Sequence, residues 1–169
     1  MKKDVRRVLK KGRIVVTRKG SFVLKLAEKI IKEIKPYCKR IQIAGSIRRK
    51  EKNPVDIDIV VIAKNKDKIK DILVKKGRII KNGEKQFSVK IEVVKVELYF
   101  VSDDELGSAL IAYTGSSRYS IGLRVLAKKK GLKLNQYGLF KGNKKIAGKT
   151  EKEIYKALGK DYKMPEQRK

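Results

Sequence analysis

Two short stretches of this chain carry residue types that can do chemistry together. The first is Ala44-Gly45-Ser46-Ile47-Arg48-Arg49, and the second is Asp56-Ile57-Asp58. Residues i and i+2 of a strand point to the same face, so Asp56 and Asp58 place two carboxylates side by side, with Ile57 and Ile59 turned the other way. Carboxylates that close repel each other unless cations sit between them. Hard oxygen donors suit magnesium. Two-metal sites hold their ions about 3.5–4 Å apart and serve phosphoryl or nucleotidyl transfer. Upstream, the Gly45-Ser46 turn offers free backbone N–H groups to a phosphate at a helix start.

These residues need elements to position them. Val55 to Ile62 and Arg40 to Ala44 read as strands on either side of the Gly-Ser turn. Apolar residues at 22, 23, 26, 27, 30, 31 and 34 predict a helix over Phe22 to Ile34, closed by Pro36. A helix is expected over Asn65 to Lys75, ended by Gly77, and Asn82-Gly83 between Arg78–Lys81 and Lys85–Glu92 signals a hairpin. Val93 to Val101 reads as a further strand. Asp103 or Asp104 is expected to cap a helix to about Tyr113, followed by a Thr114-Gly115-Ser116 turn and a helix from Ser117 to Lys130. Leu132–Leu134 and Tyr137–Phe140 suggest a small sheet, and Thr150-x-x-Glu153 is a capping box for a last helix to Leu158. The pattern predicts an α+β chain: a basic N-terminal segment over 1–17, with a short β-like run from Arg13, an α/β lobe over 18–101 and a smaller α+β lobe over 102–169.

The chain has 169 residues and a 41% apolar fraction, enough for a core. Lysine and arginine number 46 against 18 acids, a formal net charge of +28. The cations are spread along the sequence, which points to a polyanionic partner, nucleic acid first. A Lys/Glu-rich compositional bias is the rival cause, but it ordinarily raises both signs together. Histidine is absent and Cys38 is the single cysteine, so histidine bases, histidine zinc sites and an intrachain disulfide are excluded. No apolar run approaches the roughly 18 residues that span a membrane, and the N-terminus lacks the apolar stretch of a signal peptide. A cytoplasmic protein of prokaryotic or viral setting is expected.

The ordered series Gly45-Ser46-Ile47-Arg48-Arg49, Asp56-x-Asp58 and Tyr113-Thr114-Gly115-Ser116 resembles the X family of DNA polymerases, the polymerase beta group. Leu134-Asn135-Gln136-Tyr137-Gly138-Leu139 and the stretch from Glu151 to Glu166 resemble that family's closing segment. The resemblance covers about residues 18–169 and is closest to minimal palm-and-thumb members. The lyase domain and fingers usual in the family have no counterpart here, so no lyase activity is expected. The resemblance implies a nucleotidyltransferase palm, a mixed sheet with flanking helices, over 18–101 and a thumb-like lobe over 102–169. It implies DNA-directed DNA synthesis, two-metal transfer from a dNTP to a primer 3′-hydroxyl in short-gap repair. The implied cofactor is a pair of Mg2+ ions, with Mn2+ able to substitute. The implied partners are gapped or primer-template DNA and dNTPs, with no membrane, and the protein is expected to be a monomer.

Residue by residue, the resemblance makes Asp56 and Asp58 the first two metal ligands. Its third, normally aspartate, aligns with Glu97, which is one methylene longer. Glu97 is then a working substitute, or Glu92 or Asp103 supplies the ligand, or the site is weakened. Gly45, Ser46, Arg49 and a further arginine, Arg18, would bind the triphosphate, while Arg48 has no assigned direction. Tyr113, Gly115 and Ser116 would meet the sugar. Ala112 stands where a second aromatic is common, which leaves sugar selectivity open. Arg124 and Gln136 would touch template or minor groove, and Lys128 reads as a phosphate-facing or solvated helix end. Template-independent addition, a non-DNA acceptor, or a catalytically weakened nucleic-acid binder on the same scaffold are the alternatives.

Overall fold

The computed structural model describes residues 5–168. The chain opens with an antiparallel hairpin, β1 (Val5–Lys10) and β2 (Arg13–Arg18), joined through Lys11 and Gly12, both at positive φ. The basic segment is thus a two-stranded ribbon, of which the sequence showed only the Arg13 run. Helix α1 (Gly20–Ile34) buries Val23, Ala27, Ile30 and Ile34 and ends at a 3-10 turn, Lys35–Tyr37, that contains Pro36.

A five-stranded sheet follows: β3 (Cys38–Ile43), β4 (Asp56–Ala63), β5 (Arg78–Asn82), β6 (Gln86–Ile91) and β7 (Val94–Phe100), in the order β3-β4-β7-β6-β5. Only β4 and β7 are parallel, so the sheet is mixed. Between β3 and β4 lies the short α2 (Gly45–Arg48), and between β4 and β5 lies α3 (Lys66–Val74), capped by the Asn65 side chain. The two faces of the sheet are covered differently. Ile57, Ile59 and Val61 of β4 and Val96, Leu98 and Phe100 of β7 pack with residues of α1 and α3 in the main core. On the other face, Val60 and Tyr99 pack with Ala44 and with Ala109 and Leu110 of α4 (Leu106–Thr114). By the strand alternation, Asp56, Asp58 and Glu97 share that second face.

Helix α4 also sends Ile111 into a separate core. That core joins α5 (Ser117–Lys129), the three-stranded sheet of β8 (Lys133–Asn135), β9 (Gly138–Lys141) and β10 (Lys144–Ala147), and α6 (Glu151–Ala157). Leu123, Ala127, Leu139, Ile154 and Tyr155 are its buried centre. The capping box expected at Thr150 is present, with Thr150 Oγ1 accepting from Glu153 N–H and Glu153 accepting from Thr150 N–H. The cap expected for α4 is not. The helix begins at Leu106 with no side-chain cap, because Asp103 is drawn to Lys39 and Asp104 to Lys145 and Ser102.

Candidate active site

Helix α4 packs on the second face of the sheet at Val60 and Tyr99. The acids one step earlier on β4 and β7 are not packed by α4 and form the floor of a cavity of about 620 Å³. Asp56, Asp58 and Glu97 line it with Gly45, Ser46, Arg49, Tyr113, Gly115 and Ser116. The structure therefore gathers nine of the residues singled out in the sequence around one space. The parallel register of β4 and β7 sets Asp58 directly opposite Glu97 and Asp56 opposite Lys95. Glu92 and Asp103 do not line the cavity. Glu92 pairs with Arg18 and Asp103 with Lys39.

The cavity floor is electrostatically tense. Burial, then the neighbouring charges of Asp56 and Glu97, push the Asp58 carboxyl up to about 7. Opposing them, Lys10 of the hairpin forms an ion pair with Asp56, and the Tyr99 hydroxyl donates to Asp58 Oδ1 at 3.2 Å. Glu97 accepts from Gln86 Nε2 at 3.0 Å and pairs with Lys95 Nζ at 2.9 Å. Among the described residues no three acidic or cysteine side chains are drawn together tightly enough to hold an ion as they stand. The donor chemistry nevertheless fits a hard divalent cation: three carboxylates on adjacent strands, one of them raised by burial and then by its acidic neighbours, and an ammonium already compensating another. Gln86 and Lys95 both engage Glu97 Oε1 and Lys10 engages Asp56 Oδ2, so an ion approaching those particular oxygens would compete with them.

The rim is built for close approach. Gly45 has φ +59°, and a Cβ there would collide with the Asp58 carboxylate. The turn can lie against the acid only because residue 45 is glycine. Ser46 belongs to the cavity lining, and its Oγ is buried with no hydrogen-bond partner among the described residues. Gly115, at φ +71°, would carry a Cβ 3.2 Å from Arg49 Nη1. Arg49 donates to the Thr114 carbonyl and pairs with Glu51, so its fork is held beside the Gly115-Ser116 turn. Tyr113 stacks on Tyr99 with ring centroids 3.5 Å apart and planes 11° from parallel.

Four expected residues fall outside this cavity. Arg18 sits over the Phe22 ring and pairs with Glu92. Arg124 and Lys128 are exposed on α5. Gln136 lies in an adjoining cavity that it shares with Tyr99, Tyr113 and Tyr137.

The sequence reading left Arg48 without a direction and missed its partners. Arg48 grips Glu151 with both terminal nitrogens, at 2.9 and 2.7 Å, and Thr114 Oγ1 at 2.8 Å. Arg168 adds a bond to Glu151 Oε1 at 2.7 Å, and the Tyr162 hydroxyl one to Oε2 at 3.1 Å. Burial alone would raise the Glu151 carboxyl, but the two arginines hold it below its ordinary value. This buried cluster ties α2, which carries Ser46, to α6 and the C-terminal segment. No local pattern marks it, since its members lie far apart in the chain. The Tyr99 contact with Asp58 was legible in principle, because Tyr99 follows Glu97 by two and shares its face.

The comparisons agree with this geometry. Residues 24–118, more than half of the chain, match the nucleotidyltransferase domain model, and residues 109–169 match the DNA polymerase beta thumb model. The Repair DNA polymerase X of African swine fever virus (isolate Tick/South Africa/Pretoriuskop Pr4/1996) is 34% identical over 151 residues, 80% of this chain and 84% of that protein. DNA polymerase IV of Saccharomyces cerevisiae is 39% identical over 74 residues, 44% of this chain and 13% of its own length. The DNA polymerase/3′-5′ exonuclease PolX of Bacillus subtilis is 24% identical over 126 residues, 70% of this chain and 22% of that one. With a palm-type sheet carrying the acids and a thumb model matched beyond it, the chain belongs to the X family of DNA polymerases.

Proposed function

We propose that this chain is a repair DNA polymerase that transfers a nucleotide from a dNTP to the 3′-hydroxyl of a primer in gapped DNA. The observation that carries the reading is the cavity itself, which joins three carboxylates on two parallel strands to an unpartnered serine hydroxyl and an arginine fork. Asp56, Asp58 and Glu97 would hold divalent cations, Mg2+ by the hardness of the donors with Mn2+ able to replace it, whose chemistry is to acidify the 3′-hydroxyl and neutralise the triphosphate. Ser46 and Arg49 bind the triphosphate, the serine through its free hydroxyl and the arginine by exchanging Glu51 for phosphate oxygens. Tyr113, held flat on Tyr99, and the Gly115-Ser116 turn set the sugar. The 3′-oxygen attacks the α-phosphorus, and pyrophosphate leaves from the side lined by Ser46 and Arg49. Exposed Arg124 and Lys128 on α5 and Gln136 at the neighbouring cavity take the template and duplex. Arg18, engaged with Glu92 and Phe22, supports the base of α1 rather than the triphosphate. The three acids, Ser46 and Arg49 are all supplied by one polypeptide, so the proposed chemistry calls for no second subunit and the enzyme is read as a monomer. Among the described residues no helix is long and apolar enough to cross a membrane.

Extension of a one-nucleotide-gapped duplex with each dNTP tests the assignment. The wild-type chain should add the complementary nucleotide, and Asp56→Asn or Asp58→Asn should abolish addition while DNA binding persists. Full activity of either variant would refute the site. An inactive Glu97→Ala beside an active Glu97→Asp supports Glu97 as the third acid, whereas an active Glu97→Ala removes it from the chemistry. An inactive wild-type chain that still binds DNA would instead favour a weakened scaffold, a reading motivated by Glu97 standing on Gln86 and Lys95.

A further inference from the structure

The β1–β2 hairpin stands at the mouth of the catalytic cavity, and Leu9 and Lys11 line that mouth. One face of the ribbon is anchored. Arg6 donates to Asn53 at 3.0 Å, Thr17 to the Val55 carbonyl at 2.6 Å, and Lys10 pairs with Asp56. The strand alternation turns Val5, Arg7, Leu9, Ile14 and Val16 to the other face. There Leu9 and Ile14, directly opposite in the register, are 76% and 73% exposed. Arg7 shares that face and Lys11 sits in the turn, while Arg13, opposite Lys10 in the register, stands on the anchored face at the exposed tip. None of these three cations forms an ion pair among the described residues, and their side chains are exposed. Ile14 and Val16 border a cavity shared with Ile80, Val93 and Lys95, yet among the described residues the Leu9–Ile14 pair stays largely uncovered. The ribbon's charge complements a phosphodiester backbone, and its apolar pair suits the sugar and base edges between phosphates.

We propose that this hairpin is a DNA-gripping element, with Arg7, Lys11 and Arg13 on phosphates and Leu9 and Ile14 against the nucleotides between them. The choice of DNA rests on the polymerase reading above. The grip lies beside the acids because the same ribbon carries Lys10 on its opposite face, so DNA held by the tip is delivered to the cavity.

The test is fluorescence anisotropy of the full chain on a labelled one-nucleotide-gapped duplex over a salt series, without nucleotide. Replacing Arg7, Lys11 and Arg13 together by glutamine should weaken binding about tenfold or more near physiological salt. It should also flatten the log affinity against log salt slope by about 2.7, from three contacts at about 0.9 each. Leu9→Ser with Ile14→Ser should weaken binding about threefold to tenfold with the slope unchanged, since no charge is lost. Lys11→Gln alone should move the slope by about 0.9, which keeps the test readable if the triple variant folds poorly. Wild-type slope and affinity in the charge variants would overturn the grip, and wild-type affinity in the serine variant would overturn the apolar contact. Failure of the underlying polymerase reading is separable. A wild-type chain that binds DNA through the hairpin but extends no primer sinks that reading and leaves the grip, while extension with an unaltered salt slope does the reverse.

Discussion

Replacing Glu151 by glutamine should unfasten the two lobes. The carboxylate is 7% exposed and accepts from Arg48 twice, from Arg168 and from Tyr162. Arg168 is fully buried and Arg48 only 13% exposed. Glutamine keeps one acceptor oxygen but turns the other position into a donor facing donors, and it leaves two guanidinium charges with no counter-charge. Removing one partner of a buried ion pair costs about 3–5 kcal/mol. Arg48 retains Thr114 and some water, and Arg168 retains the Lys163 carbonyl, so the lower end, about 3 kcal/mol, is expected. For a chain of this length that is a fall in Tm of about 6–12 °C. Urea denaturation at neutral pH reads the change directly, and its pH dependence gives a second check. The Glu151 carboxyl is held below its ordinary value when folded, so its contribution is present above the unfolded value near 4.5 and is lost as pH falls through the folded one. The gap between wild type and Glu151→Gln should therefore be full at pH 7 and shrink below about pH 4. A variant within about 1 kcal/mol of wild type at pH 7, or a gap that widens on acidification, would refute the reasoning. Because Arg48 ends the helix that carries Ser46, the same variant should raise KM for the dNTP more than it lowers binding of DNA.

Four further outcomes follow from the cavity. Asp58→Asn should stabilise the chelator-treated protein. The raised carboxyl penalises ionisation, so wild-type stability should fall as pH rises from about 4 to about 7, and the asparagine variant, flat over that range, should be about 2–4 kcal/mol more stable above it by urea denaturation. Gly45→Ala should cost about 2–4 kcal/mol and abolish extension, because its Cβ meets the Asp58 carboxylate at positive φ; a stable, active variant would contradict the close approach. Lys10→Ala should tighten Mn2+ binding about fivefold by calorimetry without nucleotide, since a competing ammonium leaves Asp56; unchanged affinity would place that lysine outside the metal's reach. With Ala112 lining the cavity beside Tyr113, ribonucleotides should be used within about 100-fold of deoxyribonucleotides, and Ala112→Phe should widen that ratio about tenfold or more in single-turnover extension.

Local periodicity was enough for most of the elements, because helix and strand leave different apolar spacings: the α1 stripe, the Asn82-Gly83 hairpin and the Thr150 capping box all stand where the pattern put them. It failed at β10 and most of β1, where charged residues alternate with few apolar ones, and at the α4 cap, where Asp103 and Asp104 found distant lysines instead of the helix. Within the site, the Asp56-x-Asp58 pair and the glycine before Ser46 were legible because each depends on neighbours in the chain. What only tertiary structure decided are the meetings across it. The parallel register of β4 and β7 chose Glu97 over Glu92 and Asp103 as the acid facing Asp58. The packing of α4 buried Tyr99 but left the acids at the floor of a cavity. The return of the C-terminus brought Arg168 and Glu151 to Arg48. Sequence spacing determines which residues share a face of one element, and it carries no information on which faces are brought together, because that is settled by burial of the whole apolar surface at once.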